Sequence, residues 1–288
     1  MNQAPLQVIR VRANVPYMIY DIFIRPFVKG LNQEEASRIA LKYFRFIGKI
    51  PGGRFVYRLL HGNRAVGLQK EVFGLQFYNP LGLGAGLDLQ GELYNDLNDL
   101  GFSFVEIGPL NATSVRHAIA NLQQDPQDDI LAACINKDFQ EAFSLAYDFC
   151  DFFVIDIGNQ PIASIMEPLL DTRLAYGSWK PIVIKIPEDI TGESLNEVMD
   201  YCRLYNIDGI EARTIDQVKH ISERSHGNLP IIANCHTETV RGVFKALSAG
   251  AALVEVRSGL VYKGPAYISR CLKYLLKRAN NDNFEPKN

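Results

Sequence analysis

A chain of 288 residues with 47% apolar content is long enough to bury a large core, as one α/β barrel or as two smaller domains. A formal charge of -2 with 22% charged residues, and no run of like charges, leaves no electrostatic footprint for nucleic acid or for an acidic partner. The five cysteines, Cys134, Cys150, Cys202, Cys235 and Cys271, are odd in number, far apart and free of any C-x-x-C pair, so neither a disulfide framework nor a metal site of zinc type is expected and a reducing cytoplasm fits.

The opening MNQAPLQVIRVRANVP lacks a basic segment followed by an apolar core, so no secretory leader is expected. No run of about 18 apolar residues offers a membrane span. Residues 17–28 (YMIYDIFIRPFV) are aromatic and apolar but broken by Asp21, Arg25 and Pro26. They read either as an interfacial segment on a membrane or as an arm packed on the domain. A helix is signalled from Asn32, whose side chain caps the first turn while Glu35 reaches back, with Ala36, Ile39, Ala40, Tyr43 and Ile47 at helical spacing. Pro51, Gly52 and Gly53 stop it. A short helical piece over residues 55–60 leads to VFGLQFYNP, which alternates like a small hairpin. Residues 1–78 therefore form an N-terminal helical extension and hairpin that cap the rest of the chain.

From residue 79 to residue 288 short β-rich apolar runs each precede a helical stretch: 81–86, 104–108, 130–135, 152–157, 181–186, 208–213, 229–234 and 252–257. Runs apolar on both faces, with helical connections, require a parallel sheet covered by helices, and eight such units close most readily as a (β/α)8 TIM barrel. A doubly wound open sheet is the alternative, weakened by the lack of a G-x-G-x-x-G opening a helix.

Chemistry in a barrel sits where strands end, and these ends are polar. Asp88 follows the first strand, Glu106 lies in the second, Asp156 and Asn159 end the fourth, and Lys185 lies in the fifth. Glu211 and Arg213 lie in the sixth, Asn234 and His236 end the seventh, and Glu255 and Arg257 end the eighth. Spacing by two puts Glu211 with Arg213, and Glu255 with Arg257, on one face of each strand. Two readings stand: a pocket whose lysine and carboxylates move protons, or an ion-pair network that neutralises itself. His61, His117, His220 and His226 fall outside the strand ends and read as surface or packing residues, and Trp179 as packing at the closed end.

YNPLGLGAGLDLQGE (78–92), LGFSFVEIG (100–108), PIVIKIPEDI (181–190), IDGIEA (207–212) and LSAGAALVEVRSGLVYKGP (247–265) together resemble the dihydroorotate dehydrogenases. Residues 20–52 are similar to the helical extension of the quinone-dependent, membrane-associated class. The resemblance implies a barrel of pyrimidine biosynthesis that binds FMN at its mouth and oxidises dihydroorotate by hydride transfer to the flavin. It also implies peripheral contact with the inner face of a membrane through the extension. Carried over position by position, it assigns Ala85, Gly86, Lys185, Ser258 and Gly259 to the flavin. The other positions depart. Leu89 stands where a lysine is expected, Pro109 for a threonine, Cys134 for an asparagine, and Asn159 for the serine base. Arg213 and Thr214 replace a threonine and an asparagine. Asn234, Cys235, His236 and Thr237 replace a phosphate-cradling glycine pair, so that His236 reads as a plug of that pocket. The loops after the second and sixth strands are shorter than in the family.

An amide cannot abstract a proton at neutral pH, so the standard reaction lacks its base. The departures point to FMN absent or weakly held, and to a catalytically silent binding or regulatory protein. It would meet a small-molecule ligand at the mouth or a protein partner. Two enzyme readings stay open: an active dihydroorotate:quinone dehydrogenase, and an FMN-dependent oxidoreductase of altered substrate that uses Lys185, Asp156 and Glu211.

Overall fold

The computed structural model describes residues 20–52, 67–124, 129–235 and 237–281. The helical piece expected at 55–60, His61 and His236 lie outside these.

Eight parallel strands close a barrel in sequence order: β3 (Leu81–Leu83), β4 (Phe104–Leu110), β5 (Ile130–Ile135), β6 (Phe152–Asp156), β7 (Ile182–Lys185), β8 (Gly209–Ala212), β9 (Ile231–Ala233) and β10 (Leu253–Glu255), with β10 pairing back to β3. Each expected strand is found. Between them run α3 (Tyr94–Asn98), α4 (Ala112–Gln124), α5 (Phe139–Ala146), α6 (Ile162–Ala175), α7 (Gly192–Leu204), α8 (Ile215–Arg224) and α9 (Val240–Ser248), and α10 (Ser258–Lys263) and α11 (Ala266–Asn281) follow β10. Among the described residues no helix is long and apolar enough to cross a membrane.

The period of two along each strand sorts its residues into two cores. Val105, Ile107, Leu131, Ala133, Ile155, Ile184, Ile210 and Val254 face the helices. Phe104, Ala132, Phe152, Val154, Val183, Ile232 and Leu253 fill the barrel. Layers of inward side chains make this interior a packed core and not a pore. The lowest layer is aromatic and leaves no room beside it: a Cβ on Gly82 would lie 2.0 Å from the Phe104 ring.

The N-terminal segment packs at both ends of this cylinder. The hairpin of β1 (Lys70–Val72) and β2 (Leu75–Phe77) turns through Phe73 and Gly74, both with positive φ, as a two-residue hairpin connection requires. It plugs the bottom, where Phe77 packs edge-on against Phe104 and Phe152. At the other end lie a π-helical turn (Tyr20–Ile24), α1 (Arg25–Val28) and α2 (Gln33–Lys49). Asn32 accepts from the Glu35 N–H at 3.0 Å, which is the first half of the expected capping box. Tyr20 is buried against Tyr43 and Phe44, and its hydroxyl donates to the Val261 carbonyl of α10. The extension also exposes large apolar side chains among its charges: Ile22, Phe23, Phe27 and Phe46 are 53–68% exposed.

Trp179 does not pack inside the closed end; it is 56% exposed, with the guanidinium of buried Arg173 stacked 3.6 Å from its ring centre. Arg173 in turn pairs with Asp208 at 2.8 Å.

If the hairpin is the floor of the barrel, Phe77→Ala should cost about 3–5 kcal/mol in urea unfolding, as aromatic truncations in packed cores do. Phe27→Ala, at an exposed site, should stay within about 0.5 kcal/mol. Equal, small losses in both would remove the hairpin from the core.

Candidate functional site

The last inward layer of the barrel is polar. Glu106 from β4, Lys185 from β7, Glu211 from β8 and Glu255 from β10 continue the same inward face as Phe104, Val183, Gly209 and Leu253. The three glutamates have no solvent exposure and Lys185 has 8%. Lys185 Nζ lies 3.2 Å from Glu211 Oε1. The Asn234 amide, just past β9, donates to Glu211 Oε1 at 2.9 Å and to Glu255 Oε2 at 2.8 Å. The Ala85 N–H points at Glu106 Oε2, 3.4 Å away. Each carboxylate also has one oxygen without a partner: Glu106 Oε1, Glu211 Oε2 and Glu255 Oε1.

The alternation of acids and bases expected from the sequence does not produce mutual neutralisation. β8 ends at Ala212, and Arg213 turns outward and is exposed. Arg257 lies beyond β10, and its guanidinium donates to the Ala85 carbonyl at 2.7 Å, away from Glu255. The layer therefore holds three acids against one facing lysine. Burial pushes the Glu211 carboxyl up to about 7, although Lys185 and the Asn234 amide pull it down. Burial, and then Glu106 and Glu211, hold Glu255 well above the usual carboxylate range. Burial works to lower Lys185, but Glu211, Cys134, Glu106 and Glu255 together raise it above an ordinary lysine, so it stays an ammonium. Cys134, wholly buried beside them, has its thiol raised by burial first and by Glu106. It is no nucleophile.

The other expected positions are found in structural work. Asp88 is buried and accepts the Glu92 and Leu93 N–H groups at 3.0 and 2.9 Å, holding the turn into α3. Asp156, half-buried at the end of β6, accepts the Gly158 N–H at 3.3 Å. Asn159 is exposed in the turn before α6, and Leu89 is 51% exposed. Thr214 caps α8 in a full capping box with Gln217.

The positions that the resemblance assigns to a flavin are engaged within the chain. Lys185 is held by Glu211, and the Ala85 carbonyl by Arg257. A Cβ on Gly86 would lie 2.0 Å from Arg257 Nη1, so that glycine is covered by the guanidinium. The Gln33 amide oxygen, reaching down from α2, accepts from Arg257 at 2.8 and 2.9 Å and from the Ser258 hydroxyl at 2.9 Å. Gly259 is small because Tyr267 and the Thr237 carbonyl press on it, at 2.2 and 2.7 Å from where a Cβ would sit. Asn234 and Gln33, which tie the mouth together, were not singled out as bridges by sequence reasoning. Only their register, two residues past the inward-facing Ile232 and one step past the Asn32 cap, hinted at it.

The raised Glu211 and Glu255 set a sign for stability. A carboxyl whose folded value lies above its unfolded one binds a proton more tightly when folded, so stability is lost as pH rises between the two. In chelator-treated protein, the urea stability of Glu211→Gln relative to the unsubstituted chain should rise from pH 4.5 to about 7 and then level off. A difference that stays flat over that interval would mean that Glu211 is ionised and favourably paired throughout.

No family model matches the chain. Curated relatives match nearly end to end. The dihydroorotate dehydrogenase (quinone) of Christiangramia forsetii is 23% identical over 90% of this chain and 99% of the relative. That of Aromatoleum aromaticum is 26% identical over 89% and 95%. The first alignment spans 338 positions, more than the 288 residues here, so the relative carries segments without counterpart in this chain. Among solved structures, the DHODH of Eimeria tenella in complex with ferulenol shares the fold with a TM-score of 0.68 and 18% identity, over 80% of this chain and 92% of that one. Mandelate oxidase reaches a TM-score of 0.52 at 14% identity, over 74% and 76%. The chain is thus similar nearly end to end to curated dihydroorotate dehydrogenases and shares their closed (β/α)8 barrel.

Proposed function

We propose that this barrel has lost the standard oxidation of dihydroorotate and works as a catalytically silent binding or regulatory protein. The observation that carries the reading is the Lys185–Glu211 pair, 3.2 Å apart, with Asn234 bridging Glu211 to Glu255. A lysine committed to a buried carboxylate is not free to face a flavin, and the Arg257 guanidinium lies across Gly86, which a cofactor would need bare. The residues present do not fit FMN. With an exposed asparagine in place of the serine base, no group at the family position takes a proton from substrate. A small ligand or a protein partner would be met at the mouth, beside Arg257 and the helical extension.

The relatives' names favour a second reading, an FMN-dependent oxidoreductase that is either an active dihydroorotate:quinone dehydrogenase or an enzyme of altered substrate. In it Lys185, Asp156 and Glu211 would do the proton chemistry. On either reading we propose a cytoplasmic protein. Ile22, Phe23, Phe27 and Phe46 would rest on the inner face of the membrane, since apolar side chains exposed together on a short helical arm favour an interface.

With dihydroorotate, excess FMN and a soluble quinone, the first reading expects orotate at the rate of the protein-free control. Turnover in the ordinary enzymatic range, about 1–1000 per second, would establish the second. Co-sedimentation with anionic lipid vesicles should be lost in a Phe23→Asp, Phe27→Asp double variant. Equal pelleting of the variant and the unsubstituted chain would place the contact elsewhere.

A further inference from the structure

We propose that Glu106, Glu211 and Glu255 form a binding site for one hard divalent cation inside the barrel mouth. One oxygen from each carboxylate lies within 4.8 Å of the other two. Oxygens on opposite sides of a calcium ion, bound at 2.3–2.6 Å, stand about 4.6–5.2 Å apart, and around magnesium about 4.0–4.2 Å. A separation of at most 4.8 Å therefore keeps the three oxygens within the span that one such ion can bridge. All-carboxylate ligands select calcium, manganese or magnesium over thiolate- and imidazole-loving metals.

A second observation points to a ligand. Each of these glutamates is fully buried and carries one oxygen with no hydrogen-bond donor, although its other oxygen is held by Ala85, Asn234 or Lys185. Buried carboxylate oxygens rarely go without a partner. With all three ionised, the carboxylates would exceed the Lys185 ammonium by two negative charges, which one divalent cation cancels in place of protons. Lys185 and the half-buried Asn234 stand beside the cluster, bonded to Glu211. Asn234 and Lys185 then act as the outer shell that orients the ligands.

The inference rests on the reading of the mouth as rebuilt, and the two come apart because flavin is read optically and the ion is not. Chelator-treated full-length protein is titrated at neutral pH with Mn2+, followed by electron paramagnetic resonance, and with Ca2+ and Mg2+, followed by calorimetry. One ion per chain is expected, with a dissociation constant below about 1 mM. Glu211→Gln and Glu255→Gln, which keep shape and remove a buried charge, should each weaken binding by at least about 10-fold while circular dichroism stays unchanged. Glu167→Gln, on the exposed face of α6, should bind as the unsubstituted chain does. No binding at millimolar ion by folded protein, or equal binding in all variants, would overturn the site. A protein that takes both FMN and the ion would keep the site and sink the rebuilt-mouth reading.

Discussion

Three carboxylates and one ammonium share the last interior layer of a closed barrel, out of water, and the arrangement of the mouth follows from that imbalance. An isolated buried charge is far too costly to persist, so each must be paired, hydrogen-bonded or neutralised. Glu211 takes Lys185, and Asn234 divides its amide protons between Glu211 and Glu255. Glu106 has a long contact with the Ala85 N–H and shares a proton site with Glu255. What remains is an appetite for positive charge, met by protons on Glu255 and Glu211 or by a cation.

The scaffold enforces this crowding. Strand registers put Lys185 directly across from Glu211 and Asp156. The hairpin closes the floor with aromatic rings, so the inward side chains cannot sink lower. Above, Gln33 ties α2 to Arg257 and Ser258, and Tyr20 ties the preceding turn to α10. The N-terminal extension is thus bonded to the rim of the site, and whatever the extension's exposed phenylalanines touch is connected to the mouth through that rim.

The barrel was legible because its signals are local and repeated. Each strand is an apolar run, all but β3 with β-branched residues, each helix has helical spacing, and eight such units leave few topologies. The identity of the polar layer was half legible. Glu106, Lys185, Glu211 and Glu255 are all recognisable as charges within strands. Their partners were not, because pairing depends on where a strand stops: ending β8 at Ala212 and β10 at Glu255 turns Arg213 and Arg257 out of register with the acids. Asp88 looked like chemistry because it follows the first barrel strand, yet the two N–H groups of the next turn claim it. Asn159 could be placed at the base position by order alone, but its exposure follows from the turn between Ile157 and Gln160.

The central claim is that the groups a flavin needs are held by this chain itself, and it is tested most directly by titrating the purified, full-length protein with FMN under the quenching of flavin fluorescence. The account predicts no saturable quenching at micromolar protein, and a protein without visible flavin bands as isolated. Tight, one-to-one quenching, or a yellow protein, would contradict it and make the Lys185–Glu211 pair a contact that the cofactor displaces.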